Sequence, residues 1–261
     1  MPHIPAASLW YDMPLETNTS GTGSESQSEA DQLSFFRYEW GIYLKLVRSN
    51  AMNHLDIAAL LRQLIDSRLN LPFSFIDLAC GDSSLAHSIL NGTQVGSYIG
   101  IDLNRRALDL ASDIMKDVPY DVTHFEEDMV AAIESRPDSA DMIWCGFSIH
   151  HLKTPPQKQE MLDAIYRALN PGGFFVCFEP TCHADETRDS FISRGQEQVR
   201  ERFSVLSDKE FAHMWDHIRA HDYPESSETW MAMGETAGFS QSREIFRMPG
   251  ELFCAAYLFE K

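Results

Sequence analysis

Short apolar runs alternate with helical patterns through the middle of the chain, and this alternation constrains the fold more than any other feature. The first run covers residues 73–78 and is followed by helical spacing over 84–90. Strands that are apolar throughout, separated by helices of roughly ten residues, are typical of a parallel sheet covered on both faces. The other strands predicted in this way are 98–103, 124–128, 141–147 and 174–178. The sequence therefore predicts a doubly wound α/β fold.

The end of the chain departs from this alternation. Residues 240–248 and 251–259 are rich in strand-forming residues and are joined at Pro249-Gly250, so we predict an antiparallel hairpin that completes a mostly parallel seven-stranded sheet. A helical insertion is expected over about 181–223, after strand five. Long insertions at the carboxyl end of a strand often carry substrate-recognition elements.

The N-terminal part of the chain divides into two segments. Residues 14–32 are polar and acidic, with glycine and serine and almost nothing to bury, so we predict that 1–32 is a disordered acidic tail. Residues 33–47 and 52–68 have helical spacing, and Pro72 ends the second pattern. We therefore expect an N-terminal helical lid over 33–72 and a main domain over 73–261.

Acidic residues end the first three predicted strands. Asp77 precedes a turn of small residues, Asp102 follows 25 residues later, and Asp128 follows after a further 26. The carboxyl ends of neighbouring parallel strands form the crevice in which open α/β sheets bind ligands. A carboxylate at the end of the second strand can accept hydrogen bonds from both ribose hydroxyls. The spacing therefore predicts a nucleoside-binding site at this edge.

These motifs resemble those of the class I S-adenosylmethionine-dependent methyltransferase family. The family signature D-x-G-x-G-x-G is represented here by the stretch from Asp77 to Ser83, in which Ala79 and Ser83 replace two of the three glycines. The Pro-Gly-Gly turn before strand five is also similar, and the likeness covers about 73–261, with 181–223 poorly matched. The cofactor-binding residues that the resemblance implies are Asp77, Ala79, Gly81, Ser83, Asp102, Leu103, Asp128, Met129 and Phe147.

The resemblance also implies specific roles for these residues. S-adenosyl-L-methionine is the expected cofactor, in a Rossmann-like methyltransferase fold. Asp102 is expected to hold the ribose with Leu103 beside the adenine, and Asp128 to lie near the adenine amino group. Ser83 could offer its hydroxyl to the methionine carboxylate. A nicotinamide dinucleotide is disfavoured, because Asp77 and Asp82 flank the turn where a pyrophosphate would bind, with no basic residue nearby.

Candidate catalytic residues follow strands four and five. His150 and His151 come next to the expected methyl position, and either could act as a general base because histidine titrates near working pH. The alternative is that one packs under the loop and the other caps the next element. Glu179 could bind an acceptor ammonium group or accept a proton, or it could be a solvated or arginine-paired carboxylate.

Aromatic residues of the N-terminal helix could cover an acceptor and exclude water, although helical core packing explains many of them. Arg37 and Tyr43 are the substrate candidates there, since polar tips on an apolar lid often select a substrate group. Tyr223, in the insertion, is a third candidate. The aromatic segment comprises Phe35, Phe36, Arg37, Tyr38, Trp40 and Tyr43.

Three histidines of the insertion stand at helical spacing, namely His213, His217 and His221. A helix would place them on one face, and His-x-x-x-His can bind zinc. Cys182 and His183 are the only nearby candidates to complete such a site. A surface helix, or a lid face toward the substrate, explains the pattern more simply, so no metal is predicted.

The charge and cysteine content exclude several classes of protein. The formal net charge is −18, which disfavours a nucleic-acid partner. No apolar run approaches the roughly 20 residues of a membrane span. Five cysteines without a C-x-x-C pair, and no signal for secretion, predict a cytoplasmic protein with reduced thiols.

The sequence thus predicts an enzyme that methylates a small-molecule acceptor on nitrogen or oxygen. The alternatives are methylation of a protein or RNA, and a non-catalytic module that binds the cofactor. The sequence does not set the oligomeric state.

Overall fold

The computed structural model describes residue 38, residues 40–250 and residues 253–261. The predicted tail over 1–32 and the predicted substrate residue Arg37 lie outside these residues. None of the described helices is long and apolar enough to cross a membrane. The helices are α1 (described over 40–48), α2 (His54–Arg68), α3 (Ser84–Leu90), α4 (Arg105–Ile114), α5 (Met129–Glu134), α6 (Pro155–Ala168), α7 (Arg188–Gln198), α8 (Asp208–His221) and α9 (Ser227–Ala237).

The strands form one sheet in the order β3-β2-β1-β4-β5-β8-β7, with a short eighth strand, β6, paired to β5. Strands β1 to β5 are parallel, and β8 runs antiparallel to both β5 and β7. The predicted α/β fold with a C-terminal hairpin is confirmed. The strands are β1 (Phe73–Leu78), β2 (Val95–Asp102), β3 (Asp121–Glu126), β4 (Ala140–Gly146), β5 (Leu169–Cys182), β6 (Glu225–Ser226), β7 (Gln241–Arg247) and β8 (Cys254–Glu260).

The sheet separates two hydrophobic cores, because successive residues of a strand point to opposite faces. Phe75 packs in the core that includes Leu61 of α2 and Ala86 of α3. Ile76 packs in the other core, with Ile165 of α6 and Trp230 of α9. The N-terminal helices and the insertion share the first core, so they are anchored to the same face of the sheet.

Strand β6 was not predicted, since two residues carry no periodicity. It pairs Thr181 with Glu225 and Cys182 with Ser226, and thus returns the end of the insertion to the carboxyl end of β5. Lys158, whose side chain is fully buried, donates hydrogen bonds to the Tyr223 carbonyl (2.5 Å) and to Glu225 Oε1 (2.6 Å). The segment after α8 is therefore fixed next to the sheet edge that carries the candidate site.

Gly100 leaves space for a buried tyrosine on β2. The hydroxyl of Tyr98 donates to Asp77 Oδ2 (3.0 Å) and lies 2.8 Å from Ser83 Oγ. A Cβ atom on Gly100 would lie 2.7 Å from His124 Cδ2, 2.9 Å from the Tyr98 hydroxyl oxygen and 3.0 Å from a third side chain. The glycine is thus required for the hydrogen bonds that Tyr98 makes beneath the candidate site.

We expect Gly100→Ala to lower the free energy of unfolding by about 1–3 kcal/mol, because an added methyl group must displace packed neighbours. Urea denaturation measures this loss. Gly96→Ala in the same strand is the matched control, since its Cβ would make only ordinary 3.7 Å contacts. Equal stabilities for the two variants would show that the space around Gly100 is not restrictive.

Candidate active site

The turn after β1 has an unusual backbone. Ala79, Gly81 and Ser83 have φ angles of 54°, 55° and 59°, in the left-handed region that favours glycine. Ala79 and Ser83 are the two positions at which this chain replaces a glycine of the signature. The turn therefore keeps a glycine-type conformation despite the side chains, at a cost of about 1–2 kcal/mol for each replaced position.

Asp102 joins this turn to the end of β2. Its Oδ2 accepts a hydrogen bond from the Gly81 backbone N–H (2.9 Å), and its Oδ1 accepts one from the Asn104 N–H (2.7 Å). Asp102, Gly81 and Asp82 line a cavity of about 390 Å³. Burial raises the pKa of Asp102 and of Asp82. No lysine or arginine is found among the described residues that line the cavity, so it favours a cationic or hydroxyl-bearing ligand.

Two of the predicted cofactor residues lie beneath the cavity. Asp77 is 3% exposed, and its partner there is the Tyr98 hydroxyl. Burial raises the pKa of Asp77 to about 8, against the opposing effect of that hydrogen bond. Ser83 is 1% exposed and its Oγ is hydrogen-bonded to the Tyr98 hydroxyl, so the structure does not support the prediction that it offers a hydroxyl to the cofactor.

The three residues predicted near the adenine lie at the same edge of the sheet but do not line the cavity. Asp128 is the N-cap of α5, where its Oδ1 accepts hydrogen bonds from the Val130 and Ala131 N–H groups. Leu103 is exposed, and Met129 begins α5. Contacts of Leu103, Asp128 and Met129 with an adenine remain predictions.

Aromatic rings form one wall of the cavity. The ring centroids of Trp40 and Tyr43 are 5.2 Å apart, those of Tyr43 and His54 are 5.8 Å apart, and those of His54 and Phe147 are 6.0 Å apart. The Trp40 ring also covers Gly81, since its Cη2 would lie 3.5 Å from a Cβ there. This wall connects the first two helices to the cofactor turn and to the loop after β4.

Tyr43 and His54 are the polar groups of this wall. Burial lowers the pKa of His54 to about 4, so its ring is neutral at pH 7. The Tyr43 hydroxyl lies 3.4 Å from His54 Nε2, and the buried Nδ1 of His54 has no hydrogen-bond partner in the described part of the chain. The structure thus brings Tyr43 to the cavity and adds His54, which the sequence analysis did not single out.

His150 stands in the 3₁₀ turn after β4, between two acidic residues. Its Nδ1 lies 2.6 Å from Glu179 Oε2, and its Nε2 lies 3.5 Å from Asp222 Oδ1. Burial lowers the pKa of His150, but these two carboxylates outweigh it and raise the value to about 9. The two carboxylates thus favour a proton or another cation at Nε2, which does not support the prediction that His150 acts as a general base.

Glu179 is completely buried and does not contact the cavity. Its carboxylate accepts hydrogen bonds from the N–H groups of Ser148 (3.2 Å), Ile149 (3.0 Å) and His150 (3.3 Å), in addition to the His150 ring. The structure therefore does not support the prediction that Glu179 binds an acceptor or takes its proton. Glu179 is a positioning residue that holds the 3₁₀ turn and the His150 ring.

His151 lines the cavity beside His150, with ring centroids 4.1 Å apart. Its Nδ1 lies 3.2 Å from the carbonyl oxygen of His221 and 3.7 Å from Asp222 Oδ1. Burial lowers the pKa of His151, and the neighbouring His150 lowers it further. His151 is thus the partly exposed, neutral member of the pair.

Asp222 is the functional candidate that the sequence analysis missed. It follows α8 directly, is 4% exposed, and lies at the cavity wall facing both histidines. The sequence showed an acidic residue after a histidine-rich helix, but it did not show that this residue contacts His150 and His151, more than 70 positions earlier. Tyr223, predicted as a substrate residue instead, does not line the cavity; its ring lies 4.5 Å from the Arg188 guanidinium.

The predicted histidine face of α8 is turned toward this cluster. His213 and His217 line the cavity, and the rings of His151 and His217 are 5.9 Å apart. His221 contributes its backbone carbonyl to His151. The proposed contributions of Cys182 and His183 are not made, since neither lines the cavity.

Comparison with known proteins places this geometry among methyltransferases. Residues 76–175 match a family model described as a methyltransferase domain. Carboxy-S-adenosyl-L-methionine synthase of Campylobacter jejuni is 22% identical over 227 residues, which are 85% of this chain and 92% of the relative. The mitochondrial 2-methoxy-6-polyprenyl-1,4-benzoquinol methylase of Schizosaccharomyces pombe is 31% identical over 140 residues, 48% of this chain and 45% of that protein.

A solved structure shares the fold. An O-methyltransferase family protein from Burkholderia thailandensis superimposes with a TM-score of 0.63 at 15% identity, over 90% of this chain and 63% of the other. The family match begins at Ile76 and ends in β5, and therefore spans the cofactor turn, Asp102 and the His150–His151 loop.

Proposed function

The chain is a class I S-adenosylmethionine-dependent methyltransferase, and on that premise we propose that it methylates a small molecule held in the cavity between Asp102 and the His150–His151 pair. The observation that carries the proposal is the cavity itself. It runs from the cofactor turn to a histidine-rich end, and helices α1, α2 and α8 contribute to its walls. Such an enclosure suits an acceptor of limited size.

The residues of the turn fit the cofactor. Gly81 bears no side chain where the ring of Trp40 approaches, and the desolvated carboxylates of Asp82 and Asp102 face a space without lysine or arginine among the described lining residues. S-adenosylmethionine supplies an electrophilic methyl group on a cationic sulfur. We assign Asp102 to the ribose hydroxyls, and Ala79, Gly81 and Phe147 to the walls that orient the cofactor.

The histidine-rich end of the cavity, together with the aromatic wall that joins it to the cofactor turn, receives the acceptor. The aromatic wall, with Tyr43 and His54 as its polar groups, would hold an apolar or aromatic body by packing and one or two hydrogen bonds. His151 is placed to contact the reacting nitrogen or oxygen, since it is neutral and partly exposed to the cavity. Holding the acceptor in line with the methyl group supplies much of the acceleration, and the closed wall excludes water.

The test is the appearance of S-adenosylhomocysteine when the protein is incubated with S-adenosylmethionine and panels of hydroxylated or amine-bearing small molecules. Mass spectrometry follows both products. Methyl-labelled cofactor added to a cell extract separates the alternatives, because label should enter the low-mass fraction. Label confined to protein or RNA would contradict a small-molecule acceptor, and the net charge of −18 already disfavours RNA.

A second candidate function is modification of the cofactor itself, since relatives named carboxy-S-adenosyl-L-methionine synthase align over most of their length. A carboxylated substrate or product carries a negative charge that requires a cationic partner. No lysine or arginine among the described lining residues could pair with that charge, and His150 is already paired with Glu179 and Asp222. This favours methyl transfer, and a carboxylated cofactor formed without any methylated acceptor would reverse the assignment.

A further inference from the structure

We propose that His150, His151 and Asp222 form a binding site for one divalent transition-metal ion at the acceptor end of the cavity. Ligand atoms of these three residues all lie within 4.8 Å of one another. Two imidazoles and one carboxylate suit ions such as Zn²⁺ and Co²⁺, and leave positions open for a further ligand. The site itself does not depend on the proposed function; only the use of the ion in catalysis rests on it.

The spacing of the donor atoms fits an ion better than a hydrogen bond. His150 Nε2 and Asp222 Oδ1 are 3.5 Å apart, beyond the usual range of about 2.7–3.2 Å for a hydrogen bond. Two ligands that are each about 2.1 Å from a metal, at a tetrahedral angle, are separated by about 3.4 Å. The gap between these two atoms is therefore the size that a shared ion requires.

Asp222 has a buried oxygen that needs a partner. Its side chain is 6% exposed, and Oδ1 makes no hydrogen bond in the described part of the chain. An unsatisfied buried polar atom is costly, and more so on a carboxylate, which sets Asp222 Oδ1 apart from the neutral side-chain groups that lack a partner elsewhere in the described chain. The orphaned oxygen faces the two histidines, and an ion between them would satisfy it.

Hydrogen bonds to neighbouring residues, on the side away from the proposed ion, already orient two of the ligands. His150 Nδ1 lies 2.6 Å from Glu179 Oε2, which leaves Nε2 as the ligand atom. A carboxylate that holds the far nitrogen of a histidine is the usual support of a metal-bound imidazole. Asp222 is fixed in turn, because Arg188 donates to its backbone carbonyl (2.6 Å) and the Tyr223 N–H donates to the His150 carbonyl (2.9 Å).

A proton on His150 Nε2 is the competing explanation for the acidic surroundings. It would give an imidazolium between Glu179 and Asp222, but it leaves Asp222 Oδ1 without a hydrogen bond at the observed 3.5 Å. His151 Nδ1 lies 3.7 Å from the same oxygen and 3.2 Å from the His221 carbonyl oxygen, to which it can donate a hydrogen bond. An ion in place of the His150 proton would satisfy Asp222 Oδ1, and His151 would become the third ligand through Nε2 or through an Nδ1 released from that carbonyl.

The ion would determine the class of acceptor. A hydroxyl oxygen of an aromatic acceptor would bind the ion and lose its proton to water, because a bound divalent ion lowers the pKa of such a group. This oxygen then forms the new O–C bond while the S–C bond of the cofactor breaks and its electron pair stays on sulfur. The proposal thus favours O-methylation of a hydroxylated aromatic compound, which the wall of Trp40 and Tyr43 would hold.

The experiment uses the full, untagged chain, freed of metal by a chelator and dialysed. Calorimetry with Zn²⁺ and visible absorption with Co²⁺ should each show one site per chain. Asp222→Asn, a nearly isosteric change, should weaken binding at least 100-fold, and His151→Ala should weaken it at least 10-fold. Glu179→Gln should weaken it about 10- to 100-fold through the orientation of His150. His183→Ala, at an exposed histidine outside the cluster, should leave the affinity unchanged.

Absence of a saturable site, or affinities in Asp222→Asn and His151→Ala equal to that of the parent protein, would overturn the proposal. Thermal melting establishes that each variant is folded, and the partly exposed His151 offers a second route if Asp222→Asn does not fold. Binding of S-adenosylhomocysteine is measured in parallel. A chain that binds Zn²⁺ at this cluster but produces no S-adenosylhomocysteine with any hydroxylated or amine-bearing acceptor would refute the proposed function and leave the metal site standing.

Discussion

Replacing Asp102 by alanine is expected to lower the affinity for S-adenosylhomocysteine by roughly 100- to 1,000-fold. In the proposed function this carboxylate accepts hydrogen bonds from two ribose hydroxyls, and each hydrogen bond to a charged group contributes about 1.5–3 kcal/mol. Since a tenfold change in affinity corresponds to about 1.4 kcal/mol, the loss of both bonds gives this range after partial compensation by water. Calorimetric titration of the parent and the variant measures the ratio.

Asp102 also supports the turn through its hydrogen bond from the Gly81 N–H, so part of the loss would come from a less ordered backbone. Asp102→Asn separates the two effects, because the amide oxygen can still accept one hydrogen bond. Asp109→Ala is the matched control: Asp109 lies on the exposed face of α4, where it pairs with Arg105. Normal affinity in Asp102→Ala would contradict the assignment of this carboxylate to the cofactor.

The parallel core of the fold could be predicted because its signal is local. Strand β1 was predicted with the bounds that it has in the structure, and the others were displaced by a few residues at most, apart from β5. Strand β5 runs from Leu169 to Cys182 because it begins before its apolar centre, where Leu169 pairs with Ala140 of β4, and continues past it to pair with β6. That pairing depends on residues more than 40 positions later, which no pattern within the strand reveals.

The candidate site likewise contains residues that local sequence features could place and residues whose surroundings depend on the fold. Asp102 and Gly81 could be placed from the sequence, since a strand end and a tight turn are local features. The positions of Ser83 and Glu179 depend on what packs around them: Tyr98 encloses the first, and three backbone N–H groups with the His150 ring enclose the second. A sequence pattern shows that a polar residue stands at a strand end but not whether it faces a ligand.

Asp222 is the strongest example of a residue that only the fold identifies. It comes from the insertion, which matched the family poorly, and reaches the cavity because β6 and the buried Lys158 bring the end of α8 back to the sheet. The histidine spacing of α8 did indicate a functional face, but the sequence could not show that His150 and His151 complete it. In the proposed function, the insertion therefore contributes to the acceptor end of the cavity, and the parallel sheet supplies the cofactor end.

The second large effect concerns Asp77, a buried acid beneath the cofactor turn. Burial raises its pKa from 3.8 to about 8, although the Tyr98 hydrogen bond acts in the opposite direction, and the neighbouring Asp102 and Asp82 raise it further. In the folded chain the carboxyl group thus keeps its proton at pH 7, whereas in the unfolded chain it is ionised. The folded state binds more protons between about pH 4 and pH 8, so this group makes stability fall as the pH rises through that window.

We therefore expect Asp77→Asn to remove this pH dependence. The amide stays neutral, can still accept the Tyr98 hydrogen bond, and fits the same space. Below pH 4 the two proteins should have similar stabilities. Between pH 5 and pH 8 the free energy of unfolding of the variant should rise relative to that of the parent by at most about 1.4 kcal/mol per pH unit. This is the slope expected when the folded and unfolded states differ by one bound proton. Urea denaturation at several pH values measures the difference.

Asp141→Asn provides the contrast on a neighbouring strand. Burial acts to raise the pKa of Asp141, but the hydrogen bonds from Asn170 and Ser74 outweigh it and lower the pKa. The stability that Asp141 contributes is present above the pKa of its unfolded state and is lost only as the pH falls toward the pKa of its folded state. The difference in free energy of unfolding between Asp141→Asn and the parent should therefore be constant between pH 5 and pH 8. A constant difference for Asp77→Asn as well would show that Asp77 is ionised in the folded chain. The acid beneath the turn would then carry a negative charge before any cationic cofactor binds.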